Sequence, residues 1–236
     1  MTLLVETRGA VRILTMNRPE KRNALNTELT RSLLDALRAA DVDDAVACVV
    51  LTGAGQGFCA GADLSEFKDL VPEKQHLVEE RAELTMQLHL AFSKMAKPVV
   101  TAINGAAMGG GAGLAIAGDL AVMSESAKLG YPETRHGIVA AIVMANLVRQ
   151  VGRKMAFELV SLGEPVDAAA AMRSGLVNRV VPDALAEAIS LAQKLSATDA
   201  RAMKATKQLF YQVADLPLEE ALKRGRETNK RMRGFK

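Results

Sequence analysis

Three observations predict an α/β fold for this sequence. Short β-branched runs alternate with helical patterns through the first half of the chain, the rhythm of parallel strands joined by crossover helices. One such run, Val99–Ile103, leads into Gly109-Gly110-Gly111 and an alanine-rich stretch of helical character. Beyond Gly137 nearly everything reads as helix, apart from a strand at Val177–Val181. A sheet-containing core over 1–185 is therefore expected, followed by a helical region over 186–236.

The elements follow in order. Leu3–Thr7 and Val11–Met16 read as strands joined at Arg8-Gly9-Ala10, a hairpin signal. Asn17–Asn23 is a polar loop. Asn26 or Thr27 can cap a helix whose Leu29, Leu33, Leu34 and Leu37 recur at helical spacing. Ala47–Leu51 is a compact apolar strand, and a loop rich in Gly and Ala runs on to Asp63. Gln75–Met95 reads as a long helix, ended near Lys97-Pro98 because the residue before proline resists helix. After Val99–Ile103 the glycines open a helix over Gly109–Ala117, and Leu120–Met123 returns as a strand. No repeat of solenoid period and no low-complexity linker is visible.

Composition narrows the function classes. At 236 residues and 49% hydrophobic, the chain can bury a full core. Aromatics make up 3% and Trp is absent, so Ala, Val, Leu and Met fill the interior and stacking platforms for bases are scarce. A net charge of +3 suits an anionic small molecule and is too weak to argue for nucleic acid, so no nucleic-acid partner is expected. Cys48 and Cys59 form no disulfide framework or zinc spacing, which points to a reducing cytoplasm. Met1–Glu6 lacks the basic patch and long apolar run of a signal peptide, and later apolar runs are broken before they could span a bilayer. His76, His89 and His136 make no i, i+4 pair with a carboxylate, so no metal site is expected.

Three segments carry chemistry. Gly57–Asp63 and Gly109–Gly111 are lined by residues small enough to leave backbone N–H groups uncovered. Two such groups from separate loops can grip one oxygen, as an enolate or tetrahedral oxyanion requires. The third segment, Gly130-Tyr131-Pro132-Glu133, places a carboxylate beside a rigid proline, where it could move a proton at the adjacent carbon. Each signal alone has a plainer reading. A glycine triplet is often a packing device, Glu133 could pair with Arg135 in solvent, and Cys59 reads as a small apolar filler.

Taken in order, the segments resemble the crotonase superfamily, the enoyl-CoA hydratase/isomerase family. The resemblance runs through Asn17-Arg18-Pro19, Asn23-Ala24-Leu25, Phe58–Asp63, Lys97–Gly111, Gly118-Asp119-Leu120, Gly130–Glu133 and Gly175–Pro182, nearly the whole chain. It implies a crotonase-type spiral of ββα turns with a helical C-terminal trimerisation region, and a homotrimer or dimer of trimers. It implies acyl-CoA thioester substrates, with coenzyme A part of the substrate and no separate cofactor. By matching positions, the N–H groups of Ala62 and Gly110 would hold the thioester oxygen and Glu133 would be the catalytic glutamate. Lys21, Arg22, Ala24, Ala60, Gly61, Asp63 and Gly109 would form the coenzyme A surface.

Two departures bear on the reaction. Hydratases of the family carry a second catalytic glutamate where this chain has Gly113. One carboxylate can still shuttle a proton between the α- and γ-carbons, so Gly113 tilts the expectation toward double-bond isomerisation, with hydration of a trans-2-enoyl-CoA as the alternative. Gly137-Ile138-Val139-Ala140-Ala141 also differs from the family's Gly-Ile-Ile-Pro-Gly, so the wall of the acyl pocket differs. A third reading is a non-catalytic acyl-CoA or RNA-binding scaffold, which the basic run Lys223-Arg224-Gly225-Arg226 invites.

Overall fold

The computed structural model describes residues 1–69 and 71–234. The strands form two sheets that share one core. The larger has six strands: β1 (Leu3–Arg8), β2 (Val11–Met16), β3 (Cys48–Gly53), β5 (Val99–Ile103), β7 (Leu120–Ser124) and β10 (Arg179–Val181), in that spatial order. β1 and β2 form the antiparallel hairpin, and every other neighbour pair is parallel. The smaller sheet joins β4 (Gly57–Cys59), β6 (Ala106–Met108), β8 (Lys128–Gly130) and β9 (Val166–Asp167).

The chain winds as a spiral. β3 enters the large sheet, β4 the small one, and helix α2 (Gln75–Lys94) closes the turn. β5, β6 and helix α3 (Gly110–Ala115) repeat the path. β7 and β8 repeat it again, followed by a 3₁₀ turn at Pro132–His136 and helix α4 (Met144–Leu162). Asn side chains hold the corners. Asn23 is fully buried, accepts from Arg18 N–H and donates to the carbonyls of Ala54 and Gly57, each at 2.9 Å. Asn104 donates to the carbonyls of Gly53 and Gly55. Corner backbone that no ladder reaches thus keeps its hydrogen bonds.

Alternation along the large sheet buries both of its faces. Leu14, Met16, Val49, Leu51, Val99 and Ile103 face the small sheet together with helix α1 (Thr27–Val42). Val11, Ile13, Cys48, Val50, Val100 and Val122 face the other way, against helix α6 (Ala184–Ser196). α6 crosses residue 185 and lays Ala184, Ala188 and Ala192 on the strands, small residues that let it approach closely. Asn26 caps α1 by accepting from Leu29 N–H, and the predicted leucines of α1 are buried.

Several expectations need correction. Gly57–Cys59, read as loop, is β4, and β6 and β9 were likewise not read as strands. Strands of two or three residues are too short to show a period, and only their partners make them strands. The helix expected over Gly109–Ala117 spans Gly110–Ala115, and the strand expected at Val177 begins at Arg179.

The C-terminal helices are α7 (Ala200–Val213) and α8 (Leu218–Met232), after the short α5 (Ala168–Arg173). α7 is pinned to the core by one polar cluster. Buried Lys207 donates from Nζ to Asp119 Oδ2 at 2.7 Å and to the Lys97 carbonyl at 2.8 Å. Asp119 also accepts from Tyr211 Oη and Val99 N–H. Asp119→Ala would strand a buried ammonium, which costs about 3–5 kcal/mol. The melting temperature should then fall by roughly 10 °C. An unchanged thermal midpoint would rule this anchor out.

Candidate active site

One cavity of about 280 Å³ gathers the segments singled out from the sequence. Ala60, Gly61, Ala62, Gly109, Gly110 and Glu133 line one end. Leu64, Phe67, Ile138, Val139, Ile142 and Val143 form an apolar wall.

Ala62 reaches the cavity because of how its loop is held. Leu25 donates to the Gly61 carbonyl at 2.7 Å and accepts from Asp63 N–H at 3.0 Å, forming an isolated parallel bridge with residue 62. In such a bridge the residue flanked by both bonds turns its own N–H away from the partner. The N–H of Ala62 therefore points away from Leu25, and no described residue accepts it. Gly110 opens α3, where a first-turn N–H has no intrahelical acceptor.

The two loops touch. A Cβ built on Gly61 would lie 3.3 Å from Gly110 N, and one on Gly110 would lie 3.8 Å from Ala62 N. Gly61 has φ +92° and Gly109 φ +53°, conformations that glycine adopts without strain.

Glu133 arrives from the neighbouring turn of the spiral. Gly109 N–H donates to the Gly130 carbonyl at 2.8 Å, tying β8 to the glycine triplet. The carboxylate then lies against Gly109, with Oε1 only 2.9 Å from where a Cβ would stand. Its Oε2 is buried without a hydrogen-bond partner. Burial raises the Glu133 pKa above its ordinary value, opposed by its own backbone N–H and by nearby His136. The pairing with Arg135 does not occur: Arg135 contacts Glu164 instead. A buried carboxylate of this kind is chemically able to carry a proton, and uncovered backbone N–H groups lining the same cavity are able to hold a developing anion.

The remaining predicted residues divide. Asp63 is buried outside the cavity lining, where Arg18 Nη2 and Ser65 Oγ donate to it at 2.8 and 2.7 Å. The Ser65 hydroxyl and Arg18 hold its carboxyl below the usual range, and its contacts fix the loop that presents Ala62. Lys21 and Arg22 lie exposed on the adjoining loop, whose Arg22 carbonyl accepts from Ala60 N–H at 2.9 Å, and Ala24 is buried beneath. Cys59 is a buried thiol pushed up to about 12 by desolvation, which fits filler. Sequence reasoning missed Thr85 on α2 and Val143 as lining residues. Helical spacing from Leu88 could have placed α2 against the core, but not against this cavity.

The protein is an α/β spiral of paired sheets whose cavity brings residues 62, 110 and 133 together. The profile of the enoyl-CoA hydratase/isomerase family matches residues 6–234. The chain belongs to that family. It is 42% identical over 221 residues to a putative enoyl-CoA hydratase of Thermus thermophilus, covering 92% of this chain and 86% of that protein. It is 37% identical to the 2,3-dehydroadipyl-CoA hydratase of Escherichia coli, over 95% and 88% of the two chains. The crystal structure of an enoyl-CoA hydratase from Bacillus anthracis superposes with TM-score 0.92 at 29% identity, over 98% of this chain and 90% of that one. The architecture is the crotonase fold. Among the described residues, no helix is long and apolar enough to cross a membrane.

Proposed function

We propose that this enzyme moves a carbon–carbon double bond in an enoyl-CoA thioester, carrying one proton on Glu133. The observation that supports it is the single carboxylate in the cavity lining, with the space beside Gly113 filled. A Cβ on Gly113 would meet Val143 Cγ1 at 2.2 Å, so nothing larger than hydrogen fits there.

The thioester oxygen sits between the N–H groups of Ala62 and Gly110. Glu133 takes a proton from the α-carbon of a 3-enoyl thioester, and the electron pair spreads onto that oxygen and the γ-carbon. Losing one such donor typically costs about 10²–10³ in rate. Glu133 then returns its proton to the γ-carbon, leaving the conjugated 2-enoyl isomer. Lys21 and Arg22 meet the phosphates of coenzyme A beside Ala24, Ala60, Gly61 and Gly109, while Asp63 positions Ala62 through Arg18. Coenzyme A comes with the substrate, and no separate cofactor takes part. The enzyme works in the cytoplasm as a homotrimer or dimer of trimers, for which Phe157 and Leu162 on α4 and Leu218 on α8 offer exposed apolar surface.

Hydration is the second reading, favoured by the names of the relatives. Offering 3-enoyl-CoA and trans-2-enoyl-CoA separately decides between them. The proposal expects conjugated thioester to appear from the 3-enoyl ester. Faster conversion of the 2-enoyl ester to a 3-hydroxyacyl product overturns it.

The acid limb of kcat/KM should report Glu133. A base acts only when ionised, so activity falls as pH drops through its raised value. The midpoint is expected above the ordinary glutamate value of 4.5 and should vanish from the residual rate of Glu133→Gln.

A further inference from the structure

His89 is a buried imidazole that this mechanism leaves idle. It is 8% exposed on α2, and its Nδ1 has no hydrogen-bond partner. Leaving a buried polar atom unmade lowers stability, so its retention calls for an explanation. Thr85, one helical turn earlier on the same face, lines the cavity, whereas His89 does not. Val143, which does line the cavity, meets His89 at Gly113. At Gly113 a Cβ would lie 2.2 Å from Val143 Cγ1 and 3.0 Å from His89 Cε1. Both side chains close on one bare backbone position, and of the two only Val143 faces the cavity.

We infer that Val143 is a partition that determines the reaction outcome, keeping the His89 imidazole out of a cavity whose titratable lining groups are Glu133 and His136. The inference rests on the single-carboxylate reading above. With the partition removed, a neutral imidazole nitrogen can take a proton from water as the water oxygen bonds to the β-carbon of a 2-enoyl thioester. The electron pair of the double bond moves toward the thioester oxygen. Protonated Glu133 then supplies the α-proton, and solvent exchange resets both groups. The net change is addition of one water, with no oxidation or reduction. Val143 immediately precedes α4 with φ −70° and ψ −25°, a backbone conformation open to glycine.

The test compares wild type, Val143→Gly, His89→Leu and the double variant, each with 3-enoyl-CoA and trans-2-enoyl-CoA. Val143→Gly should gain hydration by at least about tenfold, within the range of one general base. The double variant should lose that gain. His89→Leu alone should keep wild-type isomerisation and melt at higher temperature, because it removes the orphaned nitrogen. No gain in Val143→Gly, or a gain that survives in the double variant, overturns the inference. Should the glycine variant fail to fold, Val143→Ala, which removes only the Cγ methyls, reads the same outcomes. Wild-type activity is the separate control: an unaltered enzyme that hydrates faster than it isomerises defeats the single-carboxylate reading, whatever the variants do.

Discussion

Glu133→Gln is expected to lower kcat/KM by about 10²–10⁴, the range associated with a positioned general base. Coenzyme A ester binding should survive, because the amide keeps the shape of the carboxylate and the proposed mechanism holds the thioester oxygen with backbone groups. The same variant should be more stable at neutral pH. Burial raises the pKa of Glu133 in the folded state, so any stability linked to its protonated form is present below the unfolded-state value. That contribution is lost as pH rises through the raised folded value. Above that value the wild type carries a buried carboxylate oxygen without a donor, and glutamine removes the charge. Each 1 kcal/mol regained would lift the melting temperature by about 2–4 °C. Turnover near that of wild type would end the proposed role of Glu133.

Gly109→Ala should be the second most damaging change, and for kcat more than for folding. Gly109 has φ +53° and ψ −122°, a conformation closed to residues with a side chain. Such strain costs on the order of 1–3 kcal/mol. Its Cβ would also arrive 2.9 Å from Glu133 Oε1, and the carboxylate must move aside. A displacement near 1 Å at a reacting group can lower the rate about 10²-fold. Steady-state kinetics alongside thermal melting separates the two effects. A soluble Gly109→Ala enzyme with unaltered kcat would show that Glu133 does not depend on this contact.

The two glycines after Gly109 explain why the triplet was ambiguous as a sequence. Gly111 is a packing residue, since a Cβ there would lie 2.2 Å from the Cys59 carbonyl. Gly110 lies in ordinary contact with Leu25 and lines the cavity, and as the first residue of α3 its N–H has no intrahelical acceptor. The packing reading holds at Gly111, while the chemical reading of its neighbour Gly110 belongs to the proposed mechanism. His89 shows the opposite limit. As one of three scattered histidines it carried no signal, and only packing set it behind Val143.

Local physics alone settled much of this protein. Apolar spacing marked α1 and α2, β-branched runs marked the large sheet, and Asn26 and Pro98 marked where helices begin and end. Each is a preference of a few neighbouring residues, so one chain suffices to reveal it. The three-residue strands, the meeting of residues 62, 110 and 133, and the screen that Val143 sets before His89 were decided by tertiary structure. They join segments up to 71 positions apart, from Ala62 to Glu133. Those contacts exist because each turn of the spiral stacks on the one before, and stacking is a property of the whole chain.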